Sequence, residues 1–242
     1  MLRYHTWGTC NGASASEMVV RKRRYQKAEQ SYARRRKPRG LGHERRSEIL
    51  TAAKQLFIDE GYETVTTRQL AQRVGLSQTG LYVYFQNKEK ILEELRRSTY
   101  ERLGARLKSI VAERPRGAML LRRLLEGYLE FALENPDEYQ LTYMVTHASL
   151  KSPERKSLER PAQEQPPGIQ AFLGFRDQVA KLIEAGVLKK ADAMVVTQAL
   201  WCALHGLATL LITHPTFPWV DHRLLIDTLV ETLVEGLQAP AR

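Results

Sequence analysis

Cysteine is almost missing from these 242 residues: Cys10 and Cys202 stand far apart, neither with a partner at metal-site or redox-motif spacing. A disulfide framework is excluded. Such usage fits a reducing cytoplasm, in which Cys202, inside an apolar run, is expected to be a small buried hydrophobe. Long hydrophobic runs are lacking too. The most apolar segment, Ala191 to Thr213, is interrupted by Asp192, Gln198 and His205, short of the roughly 18 uninterrupted apolar residues of a membrane span. The first twenty residues hold no apolar stretch of signal-peptide length. A soluble, cytoplasmic chain without a membrane partner is therefore expected. No phosphate loop, nucleophile elbow, zinc-protease helix or redox pair occurs, which argues against an enzyme and leaves no cofactor to expect. Nor is there any sustained β-alternation or fixed-period repeat.

What is present is ordinary in amount and unusual in distribution. Hydrophobic residues make up 43% and charged residues 26%, values of a globular chain rather than a disordered or collagen-like one. The length fits one large domain or a small one joined to a larger one. The net charge of +10 is concentrated at the start, where residues 1–43 hold 11 basic side chains against Glu17 and Glu29. Residues 1–42, rich in Gly, Ser and basic runs and poor in apolar residues, are expected to form a disordered arm that seeks phosphate or another anionic surface. Met18 would serve equally as a first residue, and the basic cluster that follows it survives either way.

From His43 onward helical periodicity takes over. Ile49, Ala52, Ala53, Leu56 and Phe57 recur at helical spacing, and Gly61 supplies the stop. Thr66-Thr67-Arg68-Gln69 forms a capping box with Thr66 as N-cap, opening a short helix to about Val74. Gly75 permits a tight turn, and Ser77 caps a third helix from Gln78 to about Phe85. Asn87 caps a long helix from Lys88 to about Val111. Further helices follow at about 118–134, from Pro136 to about Leu150, and at about 168–185, 191–212 and 221–237, with a Pro-rich loop at 151–167. The expectation is an all-α chain of about nine helices: a helix-turn-helix unit over 43–90 and a helical ligand-sensing and dimerisation domain over 91–242.

Two short helices on a tight turn, completed by a preceding amphipathic helix, form a DNA-reading arrangement. Gln78, Thr79 and Tyr82 face outward, while Leu81 and Phe85 point inward. A Gln amide matches an adenine edge, and an aromatic ring meets a thymine methyl or a phosphate. Thr67 and Lys88, at helix starts, bring a hydroxyl and an ammonium to the phosphates. On a lone helix these polar residues would be an ordinary solvated face.

The motifs Glu60-Gly61-Tyr62, Thr66 to Ala71, Val74-Gly75-Leu76-Ser77 and Leu81-Tyr82-Val83-Tyr84-Phe85-Gln86-Asn87-Lys88-Glu89 resemble, over about residues 46–95, the DNA-binding domain of the tetracycline-repressor (TetR/AcrR) family of transcription regulators. The resemblance implies phosphate contacts from Thr67, Tyr84 and Lys88 and base contacts from Arg68, Gln78 and Tyr82. The full candidate set is Thr66, Thr67, Arg68, Ser77, Gln78, Thr79, Gly80, Tyr82, Tyr84 and Lys88. Thr79-Gly80 departs from the family pattern: a glycine there removes a hydroxyl and weakens the helix by up to about 1 kcal/mol relative to alanine.

Farther on, residues 128–139 and Ala199-Leu200-Trp201-Cys202-Ala203-Leu204-His205-Gly206-Leu207 resemble the sensing domain of a subgroup with a Trp-x-x-x-His-Gly signature. That resemblance implies a homodimer built on the last two helices. The first of these is apolar nearly all round and is expected to bury both faces. Tyr128, Phe131, Tyr139, Met144, His147, Phe172, Trp201 and His205 are the candidate lining of a site for a small, largely apolar effector, although such residues are also ordinary core. Gln198 or a backbone carbonyl is expected to partner His205. His147 and His205 lack a third ligand at metal spacing, so no metal is expected.

The function implied is a ligand-responsive repressor that binds a palindromic operator on double-stranded DNA as a homodimer. An activator of the same architecture, or a non-specific nucleic-acid-binding, nucleoid-associated protein driven by the arm, remain as alternatives. Deleting residues 1–42 is expected to weaken DNA binding across all sequences and to flatten its salt dependence while preserving sequence preference. Binding isotherms at low and moderate salt check this, and equal affinities would overturn it.

Overall fold

The computed structural model describes residues 42–145, 161 and 164–240. The expected arm, apart from Gly42, lies outside them, as does His147. The described residues form nine helices: α1 Gly42–Asp59, α2 Thr67–Arg73, α3 Gln78–Tyr82, α4 Lys88–Ala112, α5 Ala118–Glu134, α6 Pro136–Tyr143, α7 Pro167–Glu184, α8 Ala193–Thr213 and α9 His222–Leu237. No strand occurs among them, only an isolated bridge between Leu188 and Gln238.

Local chemistry sets the ends of the first helices. α1 buries Ile49, Ala53, Leu56 and Phe57 and stops before Gly61, whose φ of +85° is the left-handed conformation glycine adopts without strain. The capping box is formed, with Gln69 N donating to Thr66 Oγ1 at 3.2 Å and Thr66 N to Gln69 Oε1 at 2.8 Å. Gly75, at φ +66°, turns the chain into Ser77, whose Oγ accepts from Gly80 N at 3.0 Å. α3 is shorter than its periodicity implies. Tyr84 N and Phe85 N both bond the Leu81 carbonyl, at 2.9 and 3.1 Å, and this tightened turn drops Phe85 into the core.

α4 begins at Asn87, whose Oδ1 accepts from Lys90 N at 2.9 Å. It runs unbroken through the expected domain boundary at 90/91, and its Ile91 and Leu92 complete the core of the head with Leu141 of α6. The body core is separate, centred on Leu121, Leu125 and Leu129 of α5, Leu200 and Leu204 of α8 and Val230 of α9. Pro136 opens α6, a position where its missing N–H costs nothing. α6 ends at Tyr143, short of the expected Leu150, and residues beyond 145 are outside those described.

α8 departs from expectation. It buries Val196, Leu200, Leu204 and Leu211 on one face, while Val195, Cys202, Gly206 and Leu210 stand exposed on the other. Cys202 is therefore not a core residue but part of an outward stripe. By length and composition α8 would suit a bilayer, yet within the chain it packs against α5 and α7.

Polar contacts fix the head to the body. Arg46 of α1 grips the Glu94 carboxylate through Nε at 3.0 Å and through Nη2, donates to the Tyr84 carbonyl at 2.8 Å, and lies 4.2 Å over the Phe85 ring. Arg96 donates to the carbonyls of Leu141, at 3.0 Å, and Val145, at the end of α6. Lys54 of α1 reaches Glu138 of α6 at 2.8 Å, beside a cleft of about 220 Å³ between α1, α4 and α6. The hydrogen bond from Arg46 holds the Glu94 carboxyl below its ordinary value of 4.5. A carboxyl depressed on folding stabilises the native state above the unfolded pKa, and that contribution is lost as pH falls through the lower folded value. Glu94→Gln is expected to cost about 1 kcal/mol at neutral pH. The difference from wild type should close below pH 4.5 in urea titrations.

Candidate nucleic-acid interface and sensing core

α2 and α3 present one polar face. Thr66 and Ser77 are exposed, but their side-chain oxygens are engaged as helix caps. Gly80 supplies the N–H that Ser77 caps, and a Cβ there would lie 3.2 Å from the cap oxygen. The glycine that departs from the family pattern thus leaves room for the cap. Arg68, Gln78, Thr79 and Tyr82 are exposed, Tyr82 by 45%. Within this face lies a hydrogen-bonded triad: Gln78 Nε2 donates to Thr67 Oγ1 at 3.0 Å and to Tyr82 Oη at 3.2 Å, and the two hydroxyl oxygens are 3.4 Å apart. Hydrogen bonds from Thr67 and Gln78 lower the pKa of the Tyr82 hydroxyl from its ordinary value.

Two candidates are engaged with the head itself. Lys88 Nζ donates to the carbonyls of Tyr62, at 2.6 Å, and Glu63, at 3.3 Å, and sits 4.3 Å from the centre of the Tyr62 ring. One of its three N–H groups remains for a phosphate. Tyr84 is half-buried, its carbonyl taken by Arg46. Sequence reasoning missed Arg46, because an arginine on the polar side of an amphipathic helix reads as solvated and its partner lies 48 residues away.

In the body, the candidates converge on His205. Tyr139 Oη lies 2.5 Å and Tyr128 Oη 3.3 Å from His205 Nδ1, with 3.4 Å between the two hydroxyls. These hydroxyls, rather than Gln198, partner the imidazole; Gln198 is exposed. Tyr143, which sequence reasoning passed over, packs its ring 4.7 Å from both Tyr139 and His205, and Tyr100 meets it edge-on at 5.6 Å. Its position four residues after Tyr139, on the same helix face, was the signal available. Trp201 stacks at 5.6 Å from His205 and meets Phe172 at 6.0 Å, leaving 39% of its surface exposed. Phe131 is buried and Met144 packs against the same core.

Burial raises the pKa values of Tyr128, Tyr139, Tyr143 and Tyr100 and lowers that of His205. The cluster is thus uncharged at neutral pH, a set of hydroxyl donors and acceptors packed around one neutral imidazole. A histidine whose pKa falls on folding binds its proton more readily in the unfolded chain, so its contribution is complete above pH 6.5 and is lost as pH drops toward the folded value. The stability of wild type in thermal unfolding is expected to fall below pH 6.5 by at most about 1.4 kcal/mol per pH unit from this single proton. His205→Asn should flatten that part of the profile.

Comparison with known proteins places both halves. Residues 49–95 match the family model of bacterial regulatory proteins of the tetR family, and residues 121–237 match a tetracyclin repressor-like C-terminal domain. The nucleoid occlusion factor SlmA of Haemophilus influenzae (strain PittGG) is 32% identical over 121 residues, half of this chain and 54% of that protein. The chain thus matches little more than half the length of that curated relative. Among solved structures, a protein of unknown function from Rhodococcus sp. RHA1 superposes with a TM-score of 0.65 at 23% identity, covering 80% of this chain and 95% of that one. A TetR/AcrR regulator from Thermobifida fusca does so at 0.58 and 23%, covering 80% and 98%; at these identities the likeness concerns the fold. With a capped helix-turn-helix head, an all-helical body and both matching models, the chain belongs to the TetR family of DNA-binding transcriptional regulators, a family without enzymatic activity.

Proposed function

We propose that this regulator is a cytoplasmic, homodimeric repressor that releases a near-palindromic operator when a small, largely apolar effector enters its body. The observation that carries the reading is the continuity of α4, which fixes the head through Glu94 at one end and brings Tyr100 to the tyrosine–histidine cluster farther along. An effector that favours a different packing around Tyr139, Tyr143 and His205 shifts α4 and the head attached to it. Release then follows from the effector's differential affinity for the two arrangements. The neutral hydroxyls and imidazole of this cluster suit an effector with one hydrogen-bonding group on an apolar frame.

The dimer is supported by the stripe on α8, where among the described residues the small Ala199, Cys202 and Gly206 stand exposed between Val195 and Leu210, and by Leu224 of α9, 61% exposed. Small side chains let two such helices approach closely, and an apolar face of this length needs a cover. A two-fold pair places its recognition helices about 34 to 36 Å apart, one turn of DNA. A second reading, a nucleoid-bound protein with many genomic sites, is favoured by the SlmA relatives, whose name records nucleoid occlusion, and by the basic arm.

Selection of bound duplexes from a random pool at about 0.15 M salt is expected to enrich a near-palindrome with wild type. Gly206→Arg should sediment as a monomer and lose that enrichment. Retention of DNA without any enriched sequence would favour the nucleoid reading. Increased expression of the neighbouring target on gene deletion separates repressor from activator.

A further inference from the structure

The triad on the recognition face divides labour between backbone and base. We infer that Gln78 reads the exocyclic amino group of adenine or cytosine through its Oε1 alone. The inference rests on the reading of α3 as the recognition helix.

Gln78 Nε2 lies 3.0 Å from Thr67 Oγ1 and 3.2 Å from Tyr82 Oη, so each of its two N–H groups has an acceptor within the protein. Phosphate oxygens only accept hydrogen bonds, so a hydroxyl that contacts the DNA backbone must donate its own proton outward. Thr67 and Tyr82 each carry a single proton. To give it to phosphate, each must receive its second hydrogen bond from a donor, and the amide of Gln78 is the donor placed there. The opposite amide orientation would turn Oε1 toward the two hydroxyls, consume both protons and leave nothing to give to the backbone. Phosphate contact and amide orientation therefore enforce one another.

What remains facing the groove is an oxygen with lone pairs and no proton. In the major groove the hydrogen-bond donors are the amino groups of adenine N6 and cytosine N4, whereas guanine and thymine turn O6, N7 and O4 outward. An acceptor opposite those acceptors is repelled. The two-bond amide contact to adenine expected from the sequence is thereby replaced by a one-bond contact, with a recognisable signature: one operator position that accepts A or C on the same strand and rejects G and T.

The test selects duplexes with full-length wild type, Gln78→Ala and Tyr82→Phe. Wild type should show an A-or-C position that becomes unrestricted in Gln78→Ala. In Tyr82→Phe one amide N–H is released, so the same position should begin to admit G or T, a change of specificity that mere loosening of the helix does not produce. In the selected operator, replacing the adenine at that position by 7-deazaadenine should leave wild-type affinity within about twofold. Removing the amino group, with purine for adenine or 2-pyrimidinone for cytosine, should weaken it about tenfold, and the loss should vanish in Gln78→Ala. Equal losses from 7-deazaadenine and purine, or a Gln78-dependent position that prefers G or T, would overturn the inference. So would an enriched operator indifferent to Gln78→Ala, which leaves the recognition-helix reading standing. Failure of wild type to enrich any sequence would instead remove that reading and this inference with it.

Discussion

A five-residue helix cannot hold itself in place. α3 makes too few internal hydrogen bonds to offset the cost of ordering its backbone, so its position depends on what grips its two ends. At the start, Ser77 caps it and Gly80 leaves room for that cap. At the end, the tightened turn buries Phe85 beneath Arg46, which also holds the Tyr84 carbonyl and Glu94. A single guanidinium, with its five donors in a fixed planar fork, ties α1, the exit of α3 and the first turns of α4 into one body. The recognition face is rigid to the degree that this tie is.

The same economy shapes the core of the body. Tyrosine hydroxyls and an imidazole are costly to bury without partners, and here they meet most of that need from one another, across α5, α6 and α8. Because burial keeps every member uncharged, the interior is polar without being ionic. Charge is placed instead at the seam between head and body, where Lys54 and Arg102 both reach Glu138. The two regions thus carry different chemistries for different purposes, and α4 and α6 belong to both.

Much of this was legible in the chain because local chemistry decides it. The capping box at Thr66, the turn at Gly75, the caps Ser77 and Asn87 and the break at Asn135-Pro136 are short-range features, readable from a few neighbouring residues. The motif around Leu81-Tyr82-Val83-Tyr84 identified the head. Contacts across long separations were not legible. Arg46 and Arg96 look like surface charges until α4 is brought against α1 and α6, and Tyr143 gains meaning only beside His205. Cys202 illustrates the opposite error: apolar neighbours suggested a core position, but among the described residues α8 turns Cys202 to its exposed side. Within the triad, residue types pointed to Gln78, but only the distances show which of its atoms is already spent.

The unbroken run of α4 has a mechanical consequence. At about 1.5 Å per residue its 25 residues form a rod about 37 Å long, with the head at one end and the tyrosine–histidine cluster pressed on its flank. A tilt of about 5° around the far end displaces the near end by about 3 Å, close to the spacing of successive base pairs along DNA. Tyr100 sits halfway along this rod, so the same tilt moves it by about 1.6 Å, and stiffness alone doubles that shift at the head without melting or a hinge.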